Sequence, residues 1–342
     1  MISSIRHRHL LRSGLVLVTA LSLAACGGGS GEGATGSEDG GTGGSDSLTE
    51  VTFGATHPPS SIGTVAAVME EHKFAEDCGV AVEFREFAPE EADIALLSGQ
   101  SDIGYFGYNS WAGSDEKLQK LAMLAPLQAE HSTLFVPEDS PARRLEDLQG
   151  RQIGMLASVS GQYQDFNLLT AEMGLDLEED FEVVTGPPPG VEAFLKRGEV
   201  DAALLFEPNS TRLMLEGGFR PIFSLTEQWA SLTGDPLYML GISANRAWLE
   251  EGNQQAAACV VSAVRKATEM LANDPSVYEG MEEVLGATSP EHLEQLAENL
   301  GKIYTPQSAE EAEDAIRAQL EQAAEFGIVP EVPDEIFTPL AG

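Results

Sequence analysis

The chain has 342 residues, with 19 basic against 55 acidic side chains and a formal charge of −36. So acidic a body is repelled by phosphate backbones and by anionic lipid, which excludes nucleic acid as a partner and adsorption to a membrane by charge alone. The length suits two lobes better than one hydrophobic core.

The N-terminus carries Arg6, Arg8 and Arg12 ahead of an apolar run, Leu15 to Ala20 with Leu21 and Leu23, too short to span a bilayer. This is the pattern of an export signal over residues 1–25. It ends in Leu23-Ala24-Ala25-Cys26, which resembles the bacterial lipobox cut by lipoprotein signal peptidase; the resemblance implies that Cys26 becomes a diacylated N-terminus. Residues 26–48 contain 10 glycines and no large apolar side chain before Leu48. Such a stretch buries no core and is expected to be a flexible leash with a reach of about 25 Å. No later segment offers about 18 unbroken apolar residues, so the expected anchor is lipid.

Beyond the leash, Val51-Thr52-Phe53-Gly54 reads as a strand. The loop His57-Pro58-Pro59-Ser60-Ser61 follows, then a helix with Ile62, Val65, Ala66 and Met69 on one face, Gly79, and a second strand, Val80 to Phe84. About 100 residues later the pattern recurs: strand Gln152 to Met155, loop Ser158 to Gly161, a helix through Phe166, Leu169 and Met173, Gly174, and strand Phe181 to Val184. The next unit repeats as well. Leu97-Ser98-Gly99 runs into a strand from Asp102 to Gly107, as Leu195 to Gly198 runs into one from Asp201 to Phe206, and both junctions read Gly-x-x-Asp. Strands alternating with helices in two copies predict two parallel α/β lobes, with a ligand cleft at the facing carboxyl ends of the strands.

Cys259 sits in an apolar helical run, Ala256 to Val261, that suits a buried thiol. The oxidising compartment also permits a bridge to Cys78, and the sequence leaves the two open. No CxxC, HExxH, GxSxG, P-loop or EF-hand spacing occurs, so neither cofactor nor metal is expected and no catalytic residue is assigned.

Three segments carry a family resemblance. Leu145-Glu146-Asp147-Leu148-Gln149-Gly150-Arg151-Gln152-Ile153-Gly154 is similar to the strand leading into the second lobe of periplasmic binding proteins. Leu195 to Pro208, ending Phe206-Glu207-Pro208, resembles their "G-x-x-D-A-A…E-P" element, and Ala244 to Leu249 their return helix. Together they resemble the nitrate, sulfonate, taurine and thiamine-precursor branch of ABC-importer binding proteins. The resemblance implies a type II two-lobed fold with two hinge crossings, at residues 124–136 and 236–243. Lobe one would be residues 49–132 plus 238–342 and lobe two 133–237, with the acidic helix at 309–326 packing on lobe one. It further implies an exported monomer on the outer face of the membrane that captures a solute, a sulfonate-, taurine- or nitrate-like anion or a pyrimidine-type heterocycle, and passes it to permease and ATPase subunits. Two other readings use the same fold: a lipoprotein that senses a solute and acts on a receptor, and an enzyme, for which no paired base and nucleophile is found.

The cleft loops supply the candidate ligand-binding residues. Ser60, Ser61, Ser158 and Ser160 stand before helices, where they serve as N-caps or receive a polar ligand group. Tyr105, Phe106, Tyr108 and Trp111 crowd the segment after a strand and could wall a ring, with Asn109 among them. His57, His131 and Glu207 complete the set, while Trp229 and Asp235 lie near the return crossing. None of these loops contains lysine or arginine, which a small anion usually recruits. That composition favours an organic ligand with a ring, neutral or cationic.

Overall fold

The computed structural model describes residues 48–340. The signal sequence, the lipidation of Cys26 and all of the leash except Leu48 lie outside the described residues. Ten strands form two sheets: β1 (Thr49–Thr56), β2 (Val80–Phe87), β3 (Ile103–Gly107), β4 (Leu121–Ala129), β5 (Thr133–Pro137), β6 (Gln152–Met155), β7 (Glu182–Thr185), β8 (Ala202–Leu205), β9 (Phe219–Ser224) and β10 (Tyr238–Asn245). One sheet has the order β2-β1-β3-β10-β4 and the other β7-β6-β8-β5-β9. The two orders coincide when β1, β2 and β3 are laid on β6, β7 and β8, so the repeat seen in sequence is a repeat of topology.

The sheets are mixed, where the sequence predicted parallel ones. In each, the three repeated strands run parallel. The fourth strand, β10 in the first and β5 in the second, is antiparallel to both its neighbours. Each of these strands belongs by sequence to the far side of a crossing: β5 follows β4 after three residues, and β10 follows β9 across the helix Leu225–Thr233. A strand arriving from the hinge enters the sheet at the end where the parallel strands finish, and so must run against them.

The Gly-x-x-Asp junction proves to be a fastening. Gly99 and Gly198 end their helices in the left-handed conformation, φ +75° and +70°, which glycine adopts without penalty. Three residues on, Asp102 Oδ2 accepts from the amide and hydroxyl of Thr52, at 2.8 and 2.7 Å, and Asp201 Oδ2 accepts from the amide of Gln152 at 3.0 Å. Asp102 thereby pins the middle of β1 and Asp201 the start of β6.

Cys78 and Cys259 are joined in a disulfide, with Cα atoms 6.0 Å apart across 181 residues of sequence. The free-thiol alternative for Cys259 is thus set aside: its helix, Gln254–Asn273, packs against β2 and the helix Ser61–His72, bringing it over the turn that holds Cys78. The acidic helix Ala309–Glu325 buries Ala312, Ile316, Leu320 and Ala323 against β4 and the helix Tyr108–Ala112. From the same face Gln319, fully buried, accepts from the Tyr238 amide and donates to its carbonyl, both at 3.0 Å, so the helix grips the chain where it returns across the hinge. Among the described residues no helix is long and apolar enough to cross a membrane.

Candidate functional site

Parallel strands deliver their carboxyl ends to one edge of a sheet, and here two such edges face each other across a cavity of about 370 Å³. The first lobe contributes the end of β1 with the loop Thr56–Ser61, the end of β2 with Phe87, Glu90 and Asp93, then Tyr105 from β3, Gln128 from β4, and Met239 and Leu240 from β10. The second contributes Leu156, Ser160, Gly161 and Gln162 after β6, the three prolines 187–189 after β7, and Phe206 and Asn209 after β8. His131 stands between them, in the first crossing.

Six of the sequence candidates line this wall: His57, Ser60, Ser61, Tyr105, His131 and Ser160. Their roles differ. Ser60 Oγ caps the helix Ser61–His72 by accepting from the amides of Ile62 and Gly63, both at 3.1 Å, and is also bonded to Thr56. Ser160 Oγ caps the matching helix, Gly161–Glu172, through the Tyr163 amide at 3.2 Å. Both serines are therefore spoken for by the backbone. His57 is exposed at the mouth, its Nδ1 3.2 Å from Glu86 Oε2.

The polar atoms left for a ligand are elsewhere. The hydroxyl of Tyr105, Nε2 of Gln128 and Nε2 of His131 are buried and have no hydrogen-bond partner among the described residues. Burial raises the Tyr105 hydroxyl well above the ordinary phenol value, with the nearby Asp93 charge adding to it. The His131 ring is oriented from behind: Nδ1 lies 2.9 Å from the carbonyl of Ala129 and so carries the hydrogen, which in the neutral imidazole leaves Nε2 an acceptor. Phe206 sets its ring edge-on to that imidazole, at 5.9 Å and 82°. Gln162, by contrast, spends its amide on the fold, accepting from Leu156 N at 3.1 Å and donating to Leu204 O at 3.3 Å.

The remaining candidates lie off the wall. Side chains along a strand alternate in direction, so with Tyr105 turned to the cavity Phe106 is turned into the core behind it. Tyr108 and Trp111 are in that core too, Tyr108 edge-on to Tyr238 and Phe337. Asn109 donates to Asp165 Oδ1 at 2.7 Å. Ser158 is exposed. Glu207 points away and accepts from Thr211 Oγ1 at 2.9 Å, while Asn299 of the first lobe donates to Thr211 at 2.7 Å. Glu207 thus supports a contact between lobes. Trp229 is buried and Asp235 exposed.

Sequence reasoning missed Phe87, Glu90, Asp93, Gln128 and the prolines 187–189. The offset of 100 that aligned the strands also superposes Phe87-Ala88-Pro89 on Pro187-Pro188-Pro189, and would have found both segments. Nothing in the sequence marks Gln128, a polar residue in an otherwise apolar strand.

Two α/β lobes of one topology, joined by two crossings around such a cavity, define the periplasmic-binding-protein fold. The NMT1/THI5-like family model matches residues 60–277, and the chain belongs to that family. No curated protein matches it by sequence. Among solved structures it is similar to the alkanesulfonate-binding protein SsuA of Xanthomonas axonopodis pv. citri bound to MOPS, with a TM-score of 0.66 and 19% identity over 83% of this chain and 95% of that one. The Escherichia coli aliphatic sulphonate-binding protein SsuA gives 0.62 and 19% over 84% and 96%. A Candida albicans protein described as having the generic periplasmic binding protein fold gives 0.65 and 13% over 84% and 93%.

Proposed function

We propose that this protein is the extracytoplasmic binding component of an ABC importer, capturing a small organic solute between its lobes and delivering it to a permease and its ATPase. The supporting observation is the interlobe cavity at the facing strand ends, three of whose lining residues, Tyr105, Gln128 and His131, carry a buried polar atom that no protein group among the described residues pairs. Buried polar groups are seldom left unpaired, and a bound solute would satisfy them. Binding without turnover suffices for this role. Cys26, acylated after export, would hold the protein on the outer face of the membrane by the leash at 26–48.

A thermal-shift screen of the purified protein against sulfonates, nitrate, pyrimidines, aromatic acids and amines tests the reading. A ligand present at 100 times its dissociation constant adds about 2.7 kcal/mol, seen as a raised Tm. At least one compound is expected to do this, and a flat response across all classes would refute solute capture. Anchoring has its own readout: the Cys26→Ala variant is expected to leave the membrane fraction and lose incorporation of labelled palmitate, and retention of both would refute it.

A further inference from the structure

The chemistry of the wall narrows the solute further. Resting on the reading above that the cavity is a solute site, we propose that the solute is a small organic cation with a flat or apolar body, of the amine or amidine class, and that Asp93 provides its counter-charge. Glu90 and Asp93 both face the cavity, and no lysine or arginine is among its lining residues. Asp93 is half-buried and, among the described residues, has neither a hydrogen-bond nor an ion-pair partner in the protein. Two basic groups lie behind the wall and are already committed. Lys117 donates to the carbonyl and hydroxyl of Ser110, at 3.0 and 2.7 Å, beneath the Phe106 ring; Arg212 is held by Glu192 and by Asn209 Oδ1.

A second observation is independent of the carboxylates. With Nδ1 of His131 bonded to a carbonyl, Nε2 of the neutral ring is an acceptor, and so are both ionised carboxylates. Such a wall selects for a ligand rich in N–H donors. Tyr105 and Gln128 each bring a buried hydrogen-bonding atom with no partner, on side chains more than nine-tenths buried, and Gln128 Nε2 can serve the ligand's own acceptor. Phe87, Phe206 and the prolines 187–189 form apolar surface suited to a ring and, for the two phenyl faces, to a cation. Burial pushes the Asp93 carboxyl up to about 7, Lys117 opposing the rise and Glu90 adding to it, which is the state of a carboxylate short of positive charge. A sulfonate placed here would meet two carboxylates and neither lysine nor arginine.

The test is calorimetric titration of the full-length protein with a panel in three charge classes: benzylamine, benzamidine and 4-aminopyridine; benzyl alcohol and pyridine; benzenesulfonate, ethanesulfonate and nitrate. The cationic class is expected to bind tightest. Asp93→Asn is expected to weaken that binding by about 10- to 100-fold, as for loss of a charge-assisted hydrogen bond, while Glu90→Gln costs less. The Tm of each variant without ligand, unchanged or raised, shows that the fold has survived. Tightest binding by the sulfonates overturns the cationic assignment and leaves solute capture standing. Cation binding indifferent to Asp93→Asn overturns the role of Asp93. Absence of heat or Tm change with every member defeats the cationic assignment, and solute capture falls with it only when the wider screen is also flat.

Discussion

Asp93 shows how one carboxyl can hold two properties of a site. Because burial lifts it to about 7 in the unliganded protein, part of the population carries a proton at neutral pH, and a cation binds only after that proton leaves. Burial sets most of that value, Lys117 lowers it and Glu90, on its own helix, raises it, with Tyr105 the other titratable group beside it. Affinity for benzylamine is therefore expected to rise about tenfold between pH 6 and pH 8, measured by calorimetry, with the slope absent in Asp93→Asn. A second single position decides how closely the lobes approach. Gly107 ends β3 and Gly161 opens the helix after β6; a Cβ on Gly107 would stand 2.7 Å from the Cα of Gly161, closer than any real contact. Gly107→Ala must push backbone against backbone. It is expected to cost about 1–3 kcal/mol of stability in a denaturant titration and to weaken ligand binding by opening the cleft.

The crossing between β4 and β5 carries a buried pair of carboxyls, Glu130 and Asp165. Glu130 sits in the three-residue link, where Oε1 accepts from the amides of His131 and Ser132, at 2.9 and 2.6 Å. Asp165 reaches it from the helix Gly161–Glu172, with its own Oδ1 bonded to Asn109. The two outer oxygens, Glu130 Oε2 and Asp165 Oδ2, are buried without other partners, which is what a shared proton between them leaves. Burial first, then the Glu130 charge and hydrogen bond, raise Asp165 well above its ordinary value, and Asn109 only partly offsets this. The folded protein therefore keeps a proton that the unfolded chain releases near pH 4, so this contribution to stability is full below that pH and is lost as pH rises through the folded value. Asp165→Asn, which keeps a donor for Glu130 and an acceptor for Asn109, is expected to remove that fall in Tm between pH 5 and pH 8. An unaltered pH profile would show that the pair does not share a proton.

For the whole molecule, the disulfide and the C-terminal helix act on different things. The Cys78–Cys259 bridge closes a loop of 181 residues, one that contains the whole second lobe, yet both its ends lie within the first lobe. The Cys78→Ser, Cys259→Ser double variant is expected to lose about 2–5 kcal/mol of stability while binding ligand with unchanged affinity, since neither cysteine lies near the cavity wall. A loss of affinity to match would mean that the bridge shapes the cleft. Gln319 and its helix, in contrast, hold the returning strand at Tyr238, next to the wall residues Met239 and Leu240.

The sequence by itself determined the repeated unit: the strands, the helices with serine caps, and the glycines and aspartates at the junctions, because each depends on residues a few positions apart and their local chemistry. It also located the first wall segment, since a loop after a strand and before a helix has only one end of the sheet to occupy. Only the tertiary structure decided which way the side chains turn. Tyr105 reached the cavity and Phe106 the core, although the two are neighbours with the same aromatic character, because strand alternation has a direction that only the neighbouring sheet strands fix. Asp93 reads in sequence as one more acid on an acidic helix, and Gln128 as a lone polar residue in an apolar strand. What makes them functional candidates is the second lobe, which is brought over them by two crossings and removes them from water.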